Sequence, residues 1–188
     1  DFPRPPRAGI RAHIDAVVAA GKDTRVMLYD IQGRTGTKLS NETISHAASH
    51  GQVVAIKDAS ADLERAPWIL NETPLAIYSG DDSLNLPWFA YGAVGVVSVV
   101  GHVAGELTRD LLEAVEAGDL AKARELNYRI QPMVEALMSH TQGAIASKVA
   151  LQLLGVLDSG KVRLPLSQAE PETVEIIRRA LQSANLLS

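Results

Sequence analysis

Apolar residues gather in short blocks up to about residue 102 and then spread into helical periodicity. The blocks are VMLYDI from Val26, VVAIK from Val53, LAIYS from Leu75 and VGVVSVV from Val94. They recur every ~20 to 27 residues, the spacing of βα units. Most are near-continuous in Val, Ile, Leu or Ala, as strands are when both faces of a parallel sheet are covered; an antiparallel sheet alternates more. Between them the pattern predicts helices over Asn41 to His50, capped by Ser40 or Asn41, over Leu63 to Asn71, and over Leu84 to Tyr91.

Beyond Gly101 the strand signal stops. AGELTRDLLEAVEAG and DLAKARELNYRIQPMVEALMSH read as a helix pair turned at Gly118, with Asp119 as cap and Pro132 as a kink. GAIASKVALQLLG forms a third helix, and PETVEIIRRALQSANLL a fourth opened by Pro171. The expected organisation is a βα part over residues 1–102 and a helical subdomain over 103–188, with no low-complexity tract or charge block between them.

Composition adds exclusions. The 188 residues are 46% apolar and 21% charged, ordinary for a globular protein. A net charge of −4 supplies no basic field for a polyphosphate backbone, so no nucleic acid is expected as a partner. The lack of cysteine removes disulfides and thiolate metal sites, which fits a cytoplasmic setting. The uncharged run from Ser83 to Gly105 is not a membrane span, because Asn85, Pro87, His102 and several glycines break it into a helix and a buried strand.

Lys57 ends the run VVAI, where hydrophobicity alone would not put a lysine. In a parallel α/β architecture this is the C-terminal end of a strand, where barrel enzymes build active sites. An amine desolvated there can serve as the neutral nucleophile that attacks a ketone; a lysine that snorkels to solvent is the structural alternative. Tyr29 closes the preceding strand at the corresponding depth. Its phenol can both donate and accept a proton, as carbinolamine formation and dehydration require, or can be a satisfied core hydroxyl. Beyond it, Gly33, Arg34, Thr35 and Gly36 read as a loop presenting a bidentate cation to a carboxylate. The loop lacks the spacing of a phosphate-binding P-loop.

YDIQGRTG, VVAIKDA, YSGDD and GAVGVVSVVGHV, in that order, resemble the motif set of dihydrodipicolinate synthases and their relatives, the family that includes N-acetylneuraminate lyase. The similarity runs from about Arg4 to the C-terminus, including RLPL at Arg163. It implies the C-terminal half, strands five to eight, of a TIM (β/α)8 barrel with a helical subdomain. It also implies a class I aldolase or lyase that joins pyruvate to aspartate semialdehyde on the way to diaminopimelate and lysine. Lys57 matches the lysine that forms the pyruvate imine, Tyr29 the proton-relaying tyrosine, and Arg34 the arginine that binds the aldehyde's carboxylate. Val97 matches a main-chain contact to pyruvate, and Gly80 lines the same mouth. The imine is its own electron sink, so no cofactor and no metal is expected. The implied partners are small 2-oxoacid and aldehyde substrates and further copies in a homo-oligomer.

The chain departs from this pattern in several places. Gln32 stands where the family usually has proline. Asp1 and Phe2 align with a tyrosine pair, and Phe2 lacks the hydroxyl of a relay that reaches a neighbouring subunit. The half-barrel carrying the carboxylate-binding threonine strand is not in the sequence. A related aldolase acting on another aldehyde, or a non-catalytic half-barrel serving assembly, are therefore the competing expectations. Arg34 favours aspartate semialdehyde over sugar-derived aldehydes. His46 and His50 sit four apart on a helix, but no third ligand is evident and HEXXH is absent, which argues against zinc. Asp81 and Asp82 read as helix caps, His102 as a loop residue, and Trp68 with Trp88 as filling between helices and sheet.

Overall fold

Parallel strands β1 (Val26–Asp30), β2 (Val53–Asp58), β3 (Ala76–Ser79) and β4 (Gly95–Val96) lie side by side in chain order. The computed structural model describes residues 4–187, so the expected correspondence at Asp1 and Phe2 lies outside the described residues. The chain divides into two compact units, Asp1–Val97 and Ser98–Ser188.

In the first unit, helices α1 (Arg7–Gly21), α2 (Gln32–Thr35), α3 (Asn41–Ala48), α4 (Ala66–Glu72) and α5 (Asn85–Tyr91) alternate with the strands. Successive strand residues point to opposite faces, so Leu28, Ile56 and Ile77 share the buried face. Ile44, Ile69 and Trp88, buried on α3, α4 and α5, complete that layer. Each such side chain withdrawn from water contributes roughly 1.5–3 kcal/mol. Trp88 is fully buried, whereas Trp68 is only partly so. The Ser40 hydroxyl accepts from the Thr43 amide and starts α3, as its sequence predicts.

Two expectations for this unit are corrected, and one unassigned segment forms a helix. The block from Val94 yields only a two-residue strand. Its partner β3 is itself four residues long, and the pairing ends with the amides of Val94 and Val97 donating to Ile77 and Ser79. The expected loop around Arg34 is a single helical turn, closed by Gly36 in the left-handed conformation at φ 69°. The segment before Val26, where the pattern above assigns no element, forms α1. Ile10, Ile14 and Val18 recur every four residues along one side of it, and Ile14 and Val18 are buried.

The second unit is helical, with α6 (Gly101–Glu116), α7 (Leu120–Met138), α8 (Gly143–Leu153) and α9 (Pro171–Ser183). Gly118 turns α6 into α7 at φ 74°, and the Asp119 side chain caps α7 by accepting from the Lys122 amide. Leu126, Ile130, Met133 and Leu137 fall on one stripe of α7 and are buried with Leu111, Ile177 and Leu181. The expected kink at Pro132 is not where the helical geometry fails: α7 runs on through the proline, while Ala104 in α6 leaves helical geometry at φ −132° and ψ 35°. Among the described residues, no helix is long and apolar enough to cross a membrane.

Candidate active site

Strand register brings the chemistry together. Tyr29 on β1 pairs with Lys57 on β2, which pairs with Tyr78 on β3, which pairs with Gly95 on β4. This row lies one residue from the C-terminal ends of β1, β2 and β3, on the face opposite Leu28, Ile56 and Ile77. Lys57 is partly buried, and its Nζ sits over the Tyr29 ring, 3.9 Å from the centroid. The electron-rich ring face attracts the ammonium form, while the phenol stands next to any group bonded to Nζ.

Gly80, just past β3, is kept small by Lys57. A β-carbon there would come within 2.9 Å of both Cγ and Cε of Lys57 and of Cβ of Ala59. Gly95 does the same for Tyr78, whose ring would lie 3.0 Å from such a carbon. The Gly80 amide donates to the Asp58 carbonyl at 2.8 Å and the Val97 amide to the Ser79 carbonyl at 2.9 Å, fixing both turns at the mouth. Arg34 stands apart from this row. Its side chain is exposed on α2 and makes no ion pair among the described residues, so it is available to a ligand's carboxylate.

Behind the row lies a feature that sequence reasoning missed. Asp30 and Asp58 follow Tyr29 and Lys57 directly, so their side chains point the opposite way, into the interior, where both are buried. Arg65, beside α4, joins them: its Nη2 donates to Asp30 at 2.8 Å and to Asp58 at 2.5 Å, and its Nη1 donates to the Leu39 carbonyl at 3.0 Å. Burial works against the cation, but the hydrogen bonds and charges of Asp58 and Asp30 outweigh it and raise the Arg65 pKa. Two strand ends are thereby tied at the depth of the Lys57 row. The signal was present, since consecutive strands ending in a carboxylate on the helix-facing side require a buried cation.

A cleft of about 370 Å³ opens between α1 and β1. Tyr29 lines it together with His13, Ile14 and Val17, but Lys57 does not. The amine and its phenol therefore define the candidate site, and the cleft adjoins it only through Tyr29. The aspartates of the SGDD segment do not pair as acid and base: the Asp81 carboxylate accepts from the Ser83 amide at 3.0 Å, a capping role, and Asp82 is buried and accepts from Asn85 at 3.2 Å. His46 and His50 meet a third group that their spacing does not reveal, the Asp15 carboxylate. Hydrogen bonds from His46 and then His50 hold its pKa below the ordinary value.

Residues 2–184 match the model of the dihydrodipicolinate synthetase family. The chain belongs to that family. It is 46% identical over 185 residues to the 4-hydroxy-tetrahydrodipicolinate synthase of Kineococcus radiotolerans, covering 98% of this chain and 60% of the relative. It is 44% identical to the enzyme of that name from Mycolicibacterium paratuberculosis, covering 99% of this chain and 61% of the relative. Among solved structures, the synthase of Cyanidioschyzon merolae, determined with lysine bound, superposes with a TM-score of 0.92 at 37% identity, over 99% of this chain and 63% of that one. The chloride-inhibited synthase of Acinetobacter baumannii, complexed with pyruvate, gives 0.89 at 31% identity, over 98% and 63%. The chain thus spans about 60% of the length of the curated relatives it matches.

Proposed function

We propose that this chain carries the imine-forming part of a pyruvate-dependent lyase, 4-hydroxy-tetrahydrodipicolinate synthase, with β1 to β4 as strands five to eight of a (β/α)8 barrel and α6 to α9 as its helical appendage. The observation that carries the reading is the Lys57 amine resting against the Tyr29 ring at the C-terminal ends of adjacent parallel strands. Ligands bind at that end of such sheets.

In this reading Lys57 Nζ attacks the ketone carbon of pyruvate to give a carbinolamine. Tyr29 delivers a proton to the departing hydroxyl, which leaves as water, and a protonated imine results. Loss of a methyl proton forms the enamine, whose carbon attacks the aldehyde of aspartate semialdehyde. Arg34 holds that substrate's carboxylate by a forked pair of hydrogen bonds, and the substrate's own amine then displaces Lys57 from the imine carbon. Gly80 keeps the lysine's path clear, and the Val97 main chain borders the pyruvate. No metal or organic cofactor enters these steps, because the imine nitrogen accepts the electrons. The exposed Arg34 favours an anionic aldehyde over the neutral sugar aldehydes that related aldolases use.

A second reading rests on the exposed face of the sheet. Tyr29 and Val97 are 44% and 43% exposed, Met27, two residues before Tyr29 on β1, is 40% exposed, and β1 has one strand neighbour among the described residues. Apolar surface of that kind next to an unpaired edge invites covering by another chain, which suits a homo-oligomer or an assembly role without turnover. A coupled assay with pyruvate and aspartate semialdehyde, run alongside sedimentation, separates the two. Turnover that responds to Lys57→Arg supports the lyase, whereas association without turnover or imine formation supports the assembly role.

A further inference from the structure

Asp15, His46 and His50 form a cluster that the aldolase chemistry does not use. Asp15 lies in the middle of α1, His46 in the last turn of α3, and His50 just past the end of that helix. Packing of α1 against α3 brings Nε2 of His46 within 2.7 Å, and Nε2 of His50 within 2.8 Å, of the same Asp15 oxygen, Oδ1. The two rings meet edge to face, 5.5 Å between centroids at 86°. The three donor atoms, one from each residue, all lie within 4.8 Å of one another. Each side chain is about a third to a half exposed, so an ion can reach the cluster from solvent. None of the three lines the cleft beside Tyr29.

We propose that Asp15, His46 and His50 form a zinc site that ties α1 to α3. Two imidazoles and one carboxylate are a recurrent three-ligand set for this ion, with a water completing the tetrahedron. Tetrahedral bonds of roughly 2.0–2.1 Å set ligand atoms ~3.3 Å apart, so binding lengthens the two contacts to Asp15 by about half an ångström and brings the two imidazole nitrogens, now within 4.8 Å of each other, to that same separation. Nε2 of each histidine is now hydrogen-bonded to Asp15 Oδ1. A bound ion takes the Nε2 lone pair of each imidazole in place of any Nε2 proton, which leaves by exchange with solvent, and the carboxylate binds as the anion. Two nitrogen donors favour zinc over magnesium or calcium, which require mostly oxygen. The site is a staple between two helices of the first unit and stands independently of any activity at Lys57.

The test is zinc uptake by the chelator-treated 188-residue chain at neutral pH, measured by equilibrium dialysis with zinc chloride against excess magnesium. The expected result is one zinc per chain, a rise in the melting midpoint on adding zinc, and affinity lower by about tenfold or more in His46→Asn and in His50→Asn. Shifts of the His46 and His50 ring resonances on zinc addition to the unmodified chain give a reading that depends on no variant. No uptake by the unmodified chain overturns the proposal. So does equal uptake by a folded His46→Asn/His50→Asn double variant, which would move binding to His13, His102 or His140, or ring resonances that stay in place while zinc binds.

Discussion

A β-carbon on Gly80 would stand 2.9 Å from both Cγ and Cε of Lys57. The glycine is not needed for its backbone conformation, because its φ lies outside the left-handed region. It is needed for the space the lysine side chain occupies. Gly80→Ala should therefore push Lys57 away from Tyr29, with a local shift at Ala59, whose β-carbon would also stand 2.9 Å away. A displacement of about 1 Å at a reacting group costs on the order of 10²-fold in rate, and that is the expected slowing of pyruvate imine formation. Mass spectrometry of borohydride-trapped samples over time checks it, with circular dichroism to report the fold. An unchanged trapping rate would mean that Lys57 reaches its substrate from another rotamer.

Arg65 should matter to stability far more than its position on a short turn suggests. Removing it in Arg65→Met leaves Asp30 and Asp58 facing each other's charge without a cation, both in the interior. Breaking a buried ion cluster on one side costs about 3–5 kcal/mol. Urea unfolding followed by circular dichroism should show a loss of that size. A loss under about 1 kcal/mol, the range of exposed pairs, would show that the carboxylates find other partners.

Arg34 is expected to act on the second substrate alone. Arg34→Ala, measured in a protein carrying all eight strands, should lower kcat/KM for aspartate semialdehyde by about 2 kcal/mol, roughly thirtyfold. Imine formation with pyruvate should change little. Equal losses in both steps would make Arg34 an organiser of the loop.

Besides Asp15, whose pKa His46 and His50 hold low, two further carboxylates should loosen the first unit in acid. Asp62 is held below its ordinary pKa, chiefly by its hydrogen bond from Lys38, and Glu42 chiefly by one from Ser40. Both folded values are depressed, so their stabilisation is complete above the unfolded value near about 4 and disappears as pH falls through the folded value. The melting midpoint should decline below about pH 4, and Asp62→Asn should flatten part of that decline. An Asp62→Asn curve parallel to the parent's would remove the Lys38 pair from the account.

Much of this was legible in the chain. Lys57 and Tyr29 could be found because each comes at the end of a near-continuous apolar run of strand length, and their pairing follows from the parallel register. The Val94 block misled because apolar content continues past Val97, although β3 offers only four residues to pair with. Helix α1 lay in a segment opened by prolines, where its fourfold spacing of Ile10, Ile14 and Val18 was easily passed over. Asp15 could not be joined to His46 from sequence at all. The residues are far apart along the chain, and only the packing of α1 on α3 makes them neighbours.

The central claim is that Lys57 is the imine-forming lysine. Intact mass followed by peptide mapping, after treatment with pyruvate and borohydride, tests it without presupposing a second substrate. The account predicts a single reduced pyruvate adduct, mapped to Lys57 and absent from Lys57→Arg, whose guanidinium keeps the charge but is no nucleophile at neutral pH. Labelling at Lys148 or Lys161 with Lys57 unmodified, or no adduct on the folded chain, would contradict it.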